Sequence, residues 1–136
     1  MRTVMSVIRI GLGILLLGIG IADLSGLMPP MHYPEPANTF MEALLDTKYV
    51  MFIVSVLKIV VGASLLSNRY VPFALVVFFP ITVNMVLFHA FLNFEGIVPA
   101  AVIGILHIVL LADYIDVYRP LLQSKSIHSA DRLVER

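Results

Sequence analysis

Seven side chains able to do chemistry stand inside long apolar runs of this chain: Arg9, Asp23, Lys58, Asn84, His89, His107 and Asp113. Lys58 is the most exposed to question, at the centre of "FIVSVLKIVVGASLL", Phe52 to Leu66. An ionisable group inside hydrocarbon costs several kcal/mol and turns towards a partner or a wet cavity. Residues of these types can hold a charge pair, pass a proton or grip the polar part of a ligand. Asp23, Lys58, Asn84, His89 and His107 therefore form a candidate buried polar layer or ligand-binding site. Arg9 and Asp113 form a second candidate, an ion pair nearer the opposite end of the spans.

Depth along each helix, at about 1.5 Å per residue, supports this grouping. Arg9 and Asp113 lie about 7 Å inside one membrane edge. Asp23 and His89 lie about 6 Å inside the other edge, with Lys58, Asn84 and His107 about 14–16 Å from it. Side chains lean towards the N-terminus of their own helix, so the two sets converge on one layer. Lys58, on its long stem, then reaches Asp23. Helical phase puts Arg9 and Asp23 within about 40° of each other, and Asn84 and His89 about 140° apart. Ala100, Gly104, His107 and Tyr114 share a face that excludes Asp113.

Each group has a plain structural reading beside the chemical one. Asp23–Lys58 reads as a structural ion pair or as a proton relay. Arg9 pairs with Asp113 or snorkels to lipid phosphates. His107 reads as a hydrogen-bonded bundle histidine or as a ligand. A haem held by His89 and His107 is disfavoured, because their depths differ by roughly 10 Å. No metal-binding cluster is evident, and the chain has no cysteine, which excludes disulfides, thiolate metal sites and cysteine nucleophiles. No catalytic triad or phosphate-binding glycine loop is present, so no catalytic residue is assigned.

The elements that must position these residues are membrane helices. Of 136 residues, 60% are hydrophobic and 13% charged, too apolar for a soluble domain of this size to bury. Spans of about 20 apolar residues are expected at 4–27, 49–66, 71–93 and 97–118. The first is read as a retained span and not as a cleaved signal. The fold expected is all-α, an integral membrane four-helix bundle over 1–122 with a polar tail at 123–136. Between spans 1 and 2, "MPPMHYPEPANTFMEALLDTK" predicts a proline-rigid turn and a short interfacial amphipathic helix from Thr39 to Asp46, capped by Thr39 and Glu42. Pro80 should kink the third span and open room beside Lys58. Gly18, Ala22 and Gly26 make a small-residue stripe for close helix packing. Phe73, Phe78, Phe79, Phe88 and Phe91 read as packing or lipid-facing groups.

Basic residues set an orientation. Arg2, Arg69, Arg119, Lys125, Arg132 and Arg136 share one side, and the other has Lys48 with Glu35, Glu42, Asp46 and Glu95. The excess of Lys and Arg on one side predicts cytoplasmic termini, N-in and C-in. Nine basic residues balance nine acidic ones without a basic cluster, which argues against nucleic acid as a partner.

The runs "GLGILLLGIGIADL", "MPPMHYPEPANTFMEALLDTKY", "LLSNRYVPFALVVFFPITVNMVLFH" and "DVYRPLL" resemble the DoxX-like family of small four-helix bacterial membrane proteins over about Val4–Leu122. The resemblance implies a bacterial inner-membrane protein, an accessory subunit or scaffold of a quinone-linked redox or assembly complex. At most it would be part of an oxidoreductase, not an enzyme alone. Its partners would be the lipid bilayer, other membrane subunits or itself. No cofactor is required, with quinone or lipid as the compatible ligands. Lys58 and Lys48 depart from the pattern, since relatives tend to carry an acid and a glycine there. The alternatives are a small proton-linked carrier acting as an oligomer, and a purely structural membrane protein.

Overall fold

The computed structural model describes residues 1–29 and 31–122, and every regular element among them is helical. The polar tail expected at 123–136 lies outside the described residues. The helices in chain order are α1 (Arg2–Ser25), α2 (Glu35–Asp46), α3 (Tyr49–Ser67), α4 (Val71–Phe91), α5 (Ile97–Asp113) and α6 (Ile115–Tyr118). Four of them, α1, α3, α4 and α5 with the turn before it, are long and apolar enough to cross a membrane. Only 22% to 28% of the most apolar stretch of each is buried inside the chain. An outer surface so apolar needs lipid around it.

Three spans end earlier than composition suggests: α4 stops at Phe91, and α1 and α5 stop for plain local reasons. The N–H of Gly26, at φ 68, bonds the Ala22 carbonyl and closes α1 in the left-handed conformation that glycine adopts freely. Helix α5 stops at Asp113, where Tyr114 takes φ −97 and ψ 13. The helix ends on Asp113, and the sequence beyond carries Asp116 and meets Pro120, so neither hydrocarbon nor backbone favours a longer helix. The short α6 instead brings Tyr118 under the start of α4, where its hydroxyl donates to the Pro72 carbonyl at 2.8 Å.

Helix α2 begins four residues before the expected cap. Pro34 precedes its first residue and Pro36 occupies its first turn, where a missing N–H leaves no bond unmade and φ is already helical. Thr39 is consequently inside the helix, and its hydroxyl bonds the Glu35 carbonyl at 3.1 Å. Glu42 accepts from the Asn38 amide at 2.7 Å, so no capping box forms. The fully buried Ala37 seats α2, which packs against α3.

Helices α1 and α3 form the most intimate antiparallel pair, α4 and α5 the second, and contacts of α3 with α4 and α1 with α5 complete the bundle. A Cβ on Gly62 would lie 2.7 Å from the Leu17 nitrogen and 2.8 Å from the Gly13 oxygen. Only a residue without a side chain lets the two backbones come this close. The stripe of Gly18 and Gly26, by contrast, meets open space. The face of α1 that bears Arg9 and Asp23 is the one turned to α3, and the expected stripe lies round the helix from it. Leu12, Leu16, Val61, Leu65, Leu75, Phe78, Ile103 and Leu110 fill the core.

Candidate functional site

The deep lysine finds its acid. Lys58 Nζ lies 2.7 Å from Asp23 Oδ2, with 18% and 14% of the two side chains exposed. The pair ties α1 to α3 one side-chain length below the end of the bundle that carries α2. It forms there because Gly20 lets α3 approach: a Cβ on Gly20 would sit 3.0 Å from Lys58 Cβ and 2.9 Å from the Ser55 carbonyl. Ser55, itself buried, satisfies its hydroxyl on the Met51 carbonyl of its own helix. Tyr33 stands near the pair, on the segment that leads into α2. Burial, with the negative charge of Asp23 second, holds its phenol above the ordinary tyrosine range. Its ring meets Phe88 edge-on at 5.7 Å, and Phe40 of α2 covers the same ring at 5.6 Å. An aromatic cluster thus joins α2, its leading segment and α4 at this end.

The second polar contact belongs to α4 and α5. His107 is fully buried, with Nε2 3.0 Å from the Leu75 carbonyl and Nδ1 2.6 Å from Thr82 Oγ1. A carbonyl only accepts, so the ring carries its proton on Nε2 and the Thr82 hydroxyl donates to Nδ1. The Phe78 carbonyl lies 3.3 Å from the same hydroxyl. Phe78 and Phe79 flank the imidazole at 5.8 and 6.2 Å. Leu75 stands one turn before Pro80, beside the Val76 carbonyl that loses its helical donor to the proline. Helix α4 nevertheless runs unbroken through Pro80, whose ring is exposed on the side away from the core.

The expected single layer is therefore two separate contacts, and two of its members stand outside both. Asn84 faces outward from α4 and has no hydrogen-bond partner among the described residues, while its neighbours Thr82 and His89 do. The difference of about 140° between Asn84 and His89 is the reason they part. His89 folds back on the turn after α4, donating from Nδ1 to the Asn93 carbonyl at 3.3 Å with its ring against Gly96.

Arg9 and Asp113 do not pair. The described residues hold two ion pairs, Lys58–Asp23 and the exposed Arg119–Asp116. The Arg9 guanidinium donates instead to the Leu65 carbonyl near the end of α3, where a helix leaves its last carbonyls without partners. Arg9 and Asp113 do share one cavity of about 500 Å³ at the end of the bundle opposite α2, with Arg2, Ser6, Asn68 and Tyr114 on its walls.

Thr82 and Tyr33 are the two site residues that sequence reasoning passes over. A threonine inside a helix ordinarily bonds the carbonyl one turn back, so nothing in its spacing announces a histidine on another helix. Tyr33 sits in a proline-rich connection whose path the sequence does not define. Among the described residues no three His, Asp or Glu side chains come close enough to hold a metal. No buried polar side-chain atom among them lacks a hydrogen-bond partner.

These observations define a class, an all-helical chain with four helices apolar enough for a multi-pass membrane protein, its buried polar groups paired between helices. No protein-family model, curated protein or solved structure matches the chain.

Proposed function

We propose that the protein is an accessory or scaffold subunit of a membrane complex, a DoxX-like protein serving a quinone-linked redox or assembly machine. One observation carries this reading. The buried charges and the buried histidine are each bonded to another helix of the same chain, so they fix helix register and leave an almost wholly apolar outside. In the proposed arrangement the chain sits in a bacterial inner membrane with both termini cytoplasmic, since Arg2, Arg69 and Arg119 share the end opposite α2. The α2 end then faces outward, and a ligand with a polar ring and a hydrophobic tail would meet the Lys58–Asp23 pair and the Tyr33 and Phe88 rings there, while the cavity of about 500 Å³ lies at the opposite end. Native mass spectrometry of the protein extracted in mild detergent tests the proposal. Co-purifying membrane subunits or a bound quinone are the expected result. A chain that emerges with neither, from cells grown under several respiratory conditions, sinks it.

One feature favours the second reading, a small proton-linked carrier. Asp23 and Lys58 keep 14% and 18% exposure and so remain in reach of an ion or ligand entering beside α2. A carrier loses transport on Lys58→Met while its fold survives, and a scaffold keeps its partners.

A further inference from the structure

We infer that the outward face of α4 is a self-association surface, and that its occupant is the α4 of a second copy of this chain. Phe73, Val77, Pro80, Asn84, Leu87 and Phe91 follow one another at alternating steps of four and three residues, the spacing of a heptad seam. In the structure all but the half-buried Val77 are exposed, so the seam looks away from the chain's own core. Phe73, Leu87 and Phe91 alone are 71%, 47% and 81% exposed.

An apolar seam by itself says nothing in a membrane, because lipid covers it equally well. Asn84 changes that. It stands seven residues before the end of α4, about 10 Å along the helix from that end, and its amide has no partner among the described residues. Lipid offers it neither donor nor acceptor, so another protein group must.

The identity of the occupant follows from charge complementarity and symmetry. An asparagine amide carries two N–H donors and one carbonyl acceptor, so it is its own complement. Two copies inserted the same way are related by an axis along the membrane normal, which brings identical depths together. Asn84 of one copy then meets Asn84 of the other at the centre of the seam. A single polar residue in a seam fixes register and number of strands, and amide bonds between membrane helices add to association. The dimer is independent of the scaffold reading and would serve a carrier equally.

The chain has no cysteine, which makes the test direct. Leu87→Cys, on the seam, and Ile105→Cys, on the exposed side of α5, are introduced singly into the full chain in liposomes and exposed to a mild oxidant. Cross-linked dimer is expected from Leu87→Cys and not from Ile105→Cys. Adding Asn84→Leu should weaken dimerisation by about tenfold, and Asn84→Gln should preserve it. Because Asn84 is exposed, neither change disturbs the core, and a circular dichroism spectrum checks the fold. Equal cross-linking at both positions, or a dimer indifferent to Asn84→Leu, overturns the inference. So does a cross-link in native membranes that joins the seam to a different protein in place of a second copy.

Discussion

At the scale of single residues, the energetics of Lys58 and Asp23 separate a pair that holds helices from one that handles a ligand. Removing one partner strands a charge in a medium that solvates it poorly, at a cost of about 3 kcal/mol for a pair this well covered. Removing both with apolar side chains of similar volume leaves nothing stranded. We therefore expect Lys58→Met to lower stability in detergent by about 3 kcal/mol, and the double change Asp23→Leu with Lys58→Met to recover most of it. Unfolding curves in mixed micelles read both values. A double variant as unstable as the single one would show that the charges do more than offset each other. This pair is legible in the sequence, because a lysine in hydrocarbon has few ways to be satisfied and depth plus tilt leave one acid within reach. Arg9 is less legible, since a guanidinium is satisfied equally by Asp113 or by the free carbonyl of Leu65 that it takes. Thr82 is illegible for the opposite reason, that its hydroxyl has an acceptor on its own helix and needs no histidine.

At the scale of elements, the bundle rests on where glycine falls, and two glycines on different faces make the point testable. Gly62 is wedged against the backbone of α1, with Leu17 N and Gly13 O both under 3.0 Å from an added Cβ. Neither atom can step aside without moving a helix. Gly62→Ala should therefore separate α1 from α3 and lower stability by about 1–3 kcal/mol, and through Gly20 and its neighbours loosen Lys58 from Asp23. Gly18→Ala meets open space and should change stability little or raise it slightly, as alanine favours helix. Equal effects at the two positions would refute the packing described. Hydrophobic patterning locates the spans to within a few residues because hydrophobic length is what a bilayer selects. It misplaces the packing stripe, since three small residues at helical spacing look alike whether they meet a neighbour or lipid. It also begins α2 too late, because Thr39 mimics a cap while Pro34 and Pro36 start the helix by fixing φ.

At the scale of the whole molecule, the asymmetry of charge is the property that turns a bundle into an oriented one. Arg2, Arg69 and Arg119 lie at the end where α1 begins and α5 finishes, and the sequence of the tail adds Lys125, Arg132 and Arg136. The α2 end has Lys48 as its lone basic residue outside the spans, among Glu35, Glu42, Asp46 and Glu95. Acids have little influence on insertion, so the count that matters is of Lys and Arg, and it favours holding the termini end in the cytoplasm. The same end carries the cavity shared by Arg2, Arg9 and Asp113, and in the proposed orientation its guanidinium groups would meet the anionic headgroups of the inner leaflet. The absence of cysteine allows the orientation to be read from single labels. Glu42→Cys, on the exposed side of α2, should react with a membrane-impermeant maleimide in intact cells after the outer membrane is opened. Ser67→Cys, exposed at the last residue of α3, should react only once the inner membrane is broken. The reverse pattern would place Lys58, Asp23 and the aromatic cluster on the cytoplasmic side. Any proton reaching Asp23 would then come from the cell interior. Labelling of both positions in intact cells would mean that copies insert both ways, which would also remove the common depth at which two Asn84 amides meet.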